Sequence, residues 1–163
     1  MNLDYRKIFK ELNKAGIDYL VVCGVAVNLH GIPRMTYDLD LMLLLDSDNI
    51  LKMVAKLTKW GYRPKAPVDP RDLADATKRE SWIVEKGLKA FSFSSPSSPI
   101  GEIDLVIESP IPYEQLKSRA IFITVEEVEI PVISLDDLVR VKEVSGRQQD
   151  LRDLDNLEKI RGW

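Results

Sequence analysis

The spacing of apolar side chains predicts helices at both ends of the chain. Residues 2–15 carry apolar side chains near helical spacing with lysines between them, and Gly16 is a natural end for that helix. Residues 135–145 and 148–160 show the same spacing, and Ser134 is placed to cap the first of these two segments. We therefore expect an amphipathic N-terminal helix and a C-terminal helical pair.

Short runs of apolar and β-branched residues predict strands between these helices. The runs at 19–23 and 38–45 are apolar on both faces, which is typical of buried strands. Residues 102–108 alternate, with their apolar side chains on one face. Residues 121–126 and 128–133 are placed to pair as a hairpin. These runs predict a sheet that contains both buried strands and a hairpin.

The middle of the chain shows weaker patterns. A helix is expected over 49–60, where Asp48 or Ser47 can cap it. Prolines interrupt residues 62–80, so a loop with a short helix near 70–78 is expected there. The remaining predictions for this region are strands at 81–84 and 88–93.

The order of the predicted elements indicates a mixed sheet flanked by helices. The predicted fold class is α/β, of the α+β kind, with a C-terminal helical pair. With 163 residues the chain is long enough for one ordinary domain. We expect a core over 1–133 and a helical extension over 134–163 packed on that core, as a single domain overall.

Composition and charge exclude several classes of protein. Hydrophobic residues make up 45% and charged residues 30%, which excludes disordered and fibrous classes. The net charge of -3 excludes an overall basic field for nucleic acid, and leaves a local basic groove open. The single cysteine, Cys23, excludes an intrachain disulfide and a C-x-x-C zinc site. No run approaches the ~20 apolar residues that span a bilayer, and no signal peptide is evident, so we expect a cytoplasmic protein without a membrane segment.

The sharpest chemical feature is the pair of carboxylates at Asp38 and Asp40. In a strand these two side chains point to the same face, with Cα atoms roughly 6.6 Å apart. Like charges this close repel each other, and a divalent cation such as Mg²⁺ or Mn²⁺ removes the conflict. Taken alone, such a pair is more often the solvated end of a strand.

Asp104 offers a third acid on another predicted strand, since its neighbours Ile103 and Leu105 face the other way. Three carboxylates together would suit a site for two metal ions. The alternative is an edge-strand carboxylate that discourages pairing with another chain.

A glycine turn and an arginine lie between the first strand and the acids. Gly24 follows a buried strand and opens a short helix, where free backbone N–H groups can bind an anion. The alternative is a tight turn that needs glycine only for its backbone geometry. Arg34, with Thr36, could clamp phosphate, or form a surface salt bridge. An anion-binding turn together with an acidic trio indicates metal-assisted phosphoryl or nucleotidyl transfer.

Two blocks of sequence resemble a known superfamily. The segment VVCGVAVNLHGIPRMTYDLDLML is similar to the nucleotidyltransferase (DNA polymerase beta) signature, in which a strand, a glycine turn and a short helix precede Asp-x-Asp. The pattern Ala-x-x-x-His-Gly-x-x-Arg-x-Thr within it and the later KEVSGRQQDLRDLDNL more narrowly resemble AbiEii-type and related stand-alone bacterial and archaeal nucleotidyltransferases. The order of the two blocks matches as well.

The resemblance implies a role for each matching residue of the first block. Gly24 would be the turn glycine against the triphosphate, with Cys23 at the first position of the turn. Asp38 and Asp40 would bind the metal ions. Asp104 would be the third metal-binding acid, which helps to deprotonate the incoming hydroxyl.

The resemblance also implies roles near the C-terminus. Lys142 would contact phosphate from the penultimate helix, with little effect on folding if it is replaced, although it could be an ordinary exposed lysine. Arg147 and Asp150 match the Arg-x-x-Asp that opens the last helix, although they could form a plain helical ion pair. His30 is expected to be a packing residue rather than a catalytic one. The candidate nucleotide- and phosphate-binding residues are Cys23, Gly24, Arg34, Thr36, Lys142, Arg147 and Asp150.

The implied activity is transfer of a nucleoside monophosphate from an NTP, ATP among them, to a hydroxyl acceptor with Mg²⁺ or Mn²⁺. The acceptor could be RNA such as tRNA, a protein or a small molecule, and the protein could be the toxin of a pair with an antitoxin protein. The alternative is a catalytically weak or inactive nucleotide-binding scaffold. Cys23 and Val25 motivate it, because they replace a glycine and a serine that are common in this turn.

Overall fold

A seven-stranded sheet and seven α-helices make up the part of the chain that the structure, a computed structural model, describes: residues 4–31 and 38–161. The strands are β1 (Tyr19–Val22), β2 (Asp38–Leu43), β3 (Arg63–Pro64), β4 (Ala90–Ser94), β5 (Glu102–Val106), β6 (Ile121–Val125) and β7 (Val128–Val132). The helices are α1 (Tyr5–Lys14), α2 (Cys23–Leu29), α3 (Ser47–Lys59), α4 (Ala76–Lys86), α5 (Tyr113–Ser118), α6 (Leu135–Ser145) and α7 (Gln148–Arg161), with a 3-10 helix over Pro70–Ala74.

The sheet is mixed, and its strand order is β3-β4-β5-β2-β1-β7-β6. β2 runs parallel to β5, and β1 runs parallel to β7, whereas the other neighbours are antiparallel. β1 and β2 lie near the middle of the sheet, which explains why all of β1 and the second half of β2 are buried. The predicted α/β class, with a mixed sheet, flanking helices and a C-terminal helical pair, is confirmed.

Alternation along β2 and β5 separates a core face from a polar face. Leu39, Leu41, Ile103 and Leu105 are at most 1% exposed and share one face of the two strands. Burial of each such side chain stabilises the fold by about 1.5–3 kcal/mol. The residues between them, which are acidic, therefore point to the opposite face.

Helix α1 packs against the core through its apolar stripe. The side chain of Asp4 accepts a hydrogen bond from the backbone N–H of Lys7 at 2.8 Å and so caps the helix. Ile8 and Phe9 are buried, and the Phe9 ring stacks on Tyr19 of β1 with centroids 6.0 Å apart. The amphipathic N-terminal helix predicted from the sequence is therefore present, with its apolar face against the sheet.

The middle of the chain corrects two predictions. Asp46, rather than Asp48 or Ser47, caps α3, because its side chain accepts from the backbone N–H of Asn49. Residues 81–84 form part of α4 instead of a strand. The reason lies at the ends of this helix: the side chain of Asp75 accepts from the first backbone N–H groups, and Gly87 closes the helix with φ 62.

In the second half of the chain the structure agrees more closely with the predicted elements. The hairpin is confirmed as β6 and β7, joined by Glu126 and Glu127, whose positive φ of 46 and 72 are those of a two-residue hairpin turn. Strand β5 ends at Val106 rather than at residue 108, and β4 begins at Ala90 rather than at residue 88. Helix α5 was not predicted.

The C-terminal helices α6 and α7 pack on each other. Ser134 caps α6 as predicted, since its hydroxyl accepts from the backbone N–H of Asp137 at 3.2 Å, and Gly146 ends the helix with φ 63. The division into a core over 1–133 and an extension over 134–163 stays a prediction. Within the described ranges, none of the helices has both the length and the apolar character needed to cross a membrane.

Candidate active site

Four carboxylates face each other on β2 and β5. Asp38 pairs in register with Glu102, and Asp40 pairs with Asp104, so all four point to the polar face of the sheet. One carboxylate oxygen from each of Asp38, Glu102 and Asp104 lies within 4.8 Å of the other two. The structure therefore brings Asp38, Asp40 and Asp104 together, as the sequence suggested, and adds a fourth acid at Glu102.

Glu102 was missed although a signal for it was present. It lies two residues before Asp104 in the same alternating strand, so the two must share a face. What the sequence lacked was the register, which sets Glu102 opposite Asp38.

The crowding of these acids favours their protonated forms. Burial first, and then the charge of Asp104, raise the pKa of Asp40 to about 7. Burial and then Glu102 raise the pKa of Asp38. Burial also raises the pKa of Asp104, although a hydrogen bond from the Ser92 hydroxyl opposes this. A hydrogen bond between the Asp40 and Asp104 carboxyl groups adds to the rise in the pKa of Asp40.

The same crowding shows that the cluster fits a hard cation. Among the described residues, Oδ1 of Asp104 is one of few buried side-chain oxygens without a hydrogen-bond partner. Buried polar atoms normally have a partner, and an ion is a common explanation for one that does not. Clustered carboxylate oxygens are the ligands that Mg²⁺ and Mn²⁺ prefer. The ammonium of Lys65 already approaches the cluster, with Nζ at 2.5 Å from Oε1 of Glu102.

The Cys23–Gly24 turn lies next to the acids. Val22, the last residue of β1, pairs in register with Asp40, and α2 begins immediately after it. Cys23 has φ 60, a left-handed conformation that favours glycine. Burial, with the nearby charge of Asp40, raises the pKa of the Cys23 thiol to about 12, so the thiol stays protonated at neutral pH. The predicted phosphate contact at this turn stays a prediction.

Lys142 is not an exposed lysine. Its side chain is 3% exposed, and Nζ donates to Oδ1 of Asp150 at 3.0 Å and to Oδ2 of Asp153 at 2.9 Å. These bonds join α6 to α7. In the structure the Lys142 ammonium neutralises two buried carboxylates. A phosphate contact by Lys142 stays a prediction.

Arg147 extends this network towards the acids. Its Nε donates to Oδ2 of Asp150 at 2.7 Å, as in the helical ion pair considered above, and the Ser145 hydroxyl donates to the same oxygen. Although burial alone would raise the pKa of Asp150, hydrogen bonds from Ser145, Arg147 and Lys142 lower it to about 2. The Arg147 side chain is 72% exposed, and its charge lowers the pKa of Asp40. Arg147 is therefore a cation beside the acid cluster.

The other candidates divide into two groups. Arg34 and Thr36 lie outside the described residues, so their roles stay predictions. His30 packs as expected: its Nε2 donates to the backbone carbonyl of Ile133 at 2.8 Å, which ties the end of α2 to the start of α6.

Residues 24–145 match the sequence profile of a family described as "Nucleotidyl transferase AbiEii toxin, Type IV TA system". This match covers most of the chain. The chain belongs to the AbiEii nucleotidyltransferase family. The predicted resemblance is thereby confirmed, and the protein is an enzyme of the nucleotidyltransferase class. No curated protein is significantly similar to this AbiEii-family chain in sequence.

Solved structures share the fold of this AbiEii-family protein. The lincosamide antibiotic adenylyltransferase LnuA, bound to lincomycin, superposes with a TM-score of 0.64 at 16% identity, over 98% of this chain and 99% of that chain. An antigenic nucleotidyltransferase-like protein from Paracoccidioides brasiliensis gives 0.58 at 17% identity, over 95% and 73%. ANT(2″)-Ia in complex with adenylyl-2″-tobramycin gives 0.55 at 12% identity, over 96% and 91%. These likenesses show the fold alone.

Proposed function

We propose that this enzyme transfers a nucleoside monophosphate from an NTP to a hydroxyl acceptor in a reaction that depends on Mg²⁺ or Mn²⁺. The observation that carries the proposal is the pairing of four carboxylates across β2 and β5, with a buried Asp104 oxygen that has no hydrogen-bond partner among the described residues. Such a crowded set of acids is costly for a fold to keep unless a cation binds it.

Asp38, Asp40 and Asp104, the predicted metal ligands, would hold the cation together with Glu102. When bound, it would neutralise triphosphate charge and make the α-phosphorus more open to attack. The acceptor oxygen forms a bond to that phosphorus, and the bond to pyrophosphate breaks. The proton of the acceptor hydroxyl would pass to the ionised carboxylate of Asp104, the acid to which the resemblance assigns this step.

The phosphate groups would lie between the turn and the C-terminal helices. The backbone N–H groups at Cys23 and Gly24 open a helix beside Asp40 and are free of any side-chain cap from Val22, which has no polar group. The exposed guanidinium of Arg147 lies near the same acid. Arg34 and Thr36 complete the proposed phosphate-binding set.

The proposed acceptor and biological role rest on the description of the family and on the structural neighbours. Its description as the toxin of a toxin–antitoxin system favours a macromolecular acceptor, RNA such as tRNA or a protein, and an antitoxin protein as partner. The lincomycin and the adenylyl-2″-tobramycin bound to structural neighbours favour a small-molecule acceptor instead. We propose the toxin role, and the small-molecule acceptor is the alternative that the experiment separates.

The test is transfer of label from each of the four α-labelled NTPs, with Mg²⁺ or Mn²⁺, to total RNA, to protein and to hydroxyl-bearing antibiotics in an RNA-free reaction. We expect label on RNA or protein, at least ~10²-fold less with Asp104→Asn, and unchanged labelling with Glu108→Gln, an exposed acid just beyond β5. Label on an antibiotic alone would contradict the toxin role and support a small-molecule acceptor.

Calorimetry with the same nucleotides separates the second candidate. The left-handed Cys23 in the turn favours a weak or inactive nucleotide-binding scaffold. NTP binding without transfer to any acceptor would support that scaffold and contradict the enzymatic proposal.

A further inference from the structure

Strand β6 lies at the end of the sheet, and its outer edge carries an unusual concentration of exposed apolar side chains. Among the described residues, β7 is its one neighbour in the sheet. Ile121 is 39% exposed, Phe122 59% and Val125 38%, and they are three of the eight large apolar side chains exposed in the described ranges. The strand, IFITV, contains no charged residue and no proline, which are the usual devices that keep an edge strand from pairing.

The hairpin geometry determines which backbone groups face outwards. In a two-residue hairpin, the residues that flank the turn, here Val125 and Val128, exchange hydrogen bonds with each other. The backbone groups of Ile123 and Ile121, two and four residues before Val125, therefore also bond to β7. The N–H and C=O groups of Phe122 and Thr124 are then directed to the open edge.

We propose that β6 pairs antiparallel with β6 of a second copy of this chain, about a two-fold axis at Ile123. In this register Phe122 of one copy lies opposite Thr124 of the other, so all the outward N–H and C=O groups of these two residues are paired. The sheet then continues across both copies. An isologous contact of this kind closes as a dimer and leaves no further edge for growth at β6.

The side chains are self-complementary in the same register. On one face Ile123 meets Ile123 of the second copy at the axis, and Ile121 meets Val125 on either side. These are non-hydrogen-bonded positions, where side chains approach most closely. Val125 also borders an apolar groove with Phe9 and Leu29, so this contact continues an apolar surface.

Charge complementarity favours a second copy over a parallel or shifted partner. Arg119 precedes β6 and is ion-paired with the buried Asp137, but its side chain is still 43% exposed. Glu127, in the turn, follows β6. An antiparallel pair brings Arg119 of one copy towards Glu127 of the other at both ends. Since β6 itself is neutral, no like charges meet along the strand.

Mass measurement in solution is the first test. We expect the purified full chain to show twice its 18.6 kDa mass by light scattering at micromolar concentration. Thr124→Pro removes one outward N–H while it leaves the bonds to β7 in place, and should weaken the dimer at least tenfold. Thr124→Val keeps the N–H and the β-branched shape, and should leave the dimer intact. A wild-type chain that stays monomeric would overturn the proposal and leave the edge to a different partner.

Disulfide cross-linking tests the register even if Thr124→Pro fails to fold. Ile123→Cys would place two sulfurs across the axis, at the Cα separation that a disulfide accepts. Thr124→Cys would face Phe122 instead and is the matched control, and the wild type measures any background from Cys23. Rapid cross-linking of Ile123→Cys alone supports the proposal. Equal cross-linking of both variants, or of neither, contradicts it.

Discussion

Asp40 and Asp104 lie directly opposite each other on the parallel strands β2 and β5, and burial together with the charge of Asp104 raises the pKa of Asp40 to about 7. No chain would gain stability from this arrangement alone, because the charge of Asp104 raises the cost of ionising Asp40. We therefore expect these acids to contribute to function and not to the stability of the fold.

Asp40→Asn is expected to abolish transfer and to leave the protein at least as stable as the wild type. The amide keeps the shape and can still hydrogen-bond to Asp104, while one repelling charge is removed. We expect activity to fall by at least ~10²-fold and the Tm at pH 8 without metal to rise by roughly 2–4 °C. A thermal melt beside the labelled-NTP assay checks both, and a large drop in Tm would show that the acid is structural.

The stability of the metal-free protein is expected to fall as the pH rises from about 4 to about 7. In the unfolded chain Asp40 loses its proton near pH 4, whereas in the folded protein it does so at about 7. Between these values folding takes up a proton, so a higher pH favours the unfolded chain, by up to roughly 4 kcal/mol over the whole range. Urea midpoints across this range measure the slope. Asp40→Asn should flatten it, and an unchanged slope would assign it to other groups.

Lys142→Ala is expected to destabilise the protein strongly. The variant leaves the buried carboxylates of Asp150 and Asp153 without their cation, and removal of one partner from a buried ion pair costs about 3–5 kcal/mol. The Tm should fall by at least roughly 6 °C. Lys159→Ala, on the exposed side of α7, is the matched control and should change little. An unchanged Tm for Lys142→Ala would instead favour a role at the phosphate alone.

Cys23→Gly tests whether the turn limits activity. A non-glycine residue in the left-handed region costs about 1 kcal/mol or more, and glycine removes that strain. We expect a Tm equal to or up to roughly 4 °C above the wild type and transfer at an equal or higher rate. Transfer that appears only in Cys23→Gly would show that the natural chain is the inactive scaffold.

The alternation of residue types made much of the site predictable. The pattern around Ile103 and Leu105 placed Asp104 on a polar face, and Asp-x-Asp did the same for Asp38 and Asp40. No pattern along one strand reports which strand lies beside it. The sequence does not give the register between β2 and β5. For this reason Glu102, which shares a face of β5 with Asp104, was not assigned to the cluster.

Burial and helix ends account for what could not be predicted. Lysines on amphipathic helices are usually exposed, and only the packing of α6 on α7 shows Lys142 enclosed by two carboxylates. The run from Trp82 to Val84 has the composition of a strand, yet the cap at Asp75 and the glycine at 87 define a helix through it. Local propensity was outweighed there by capping and by the Trp82 ring, which stacks on Phe91 of β4 at 5.5 Å.

The most direct test of the central claim is a crystal of the full chain soaked with Mn²⁺ and a non-hydrolysable NTP analogue, measured by anomalous scattering. The account predicts a manganese peak in contact with the carboxylates of Asp38 and Asp104, with the triphosphate against the Cys23–Gly24 turn. Manganese elsewhere, or none, with Glu102 still paired to Lys65, would contradict it.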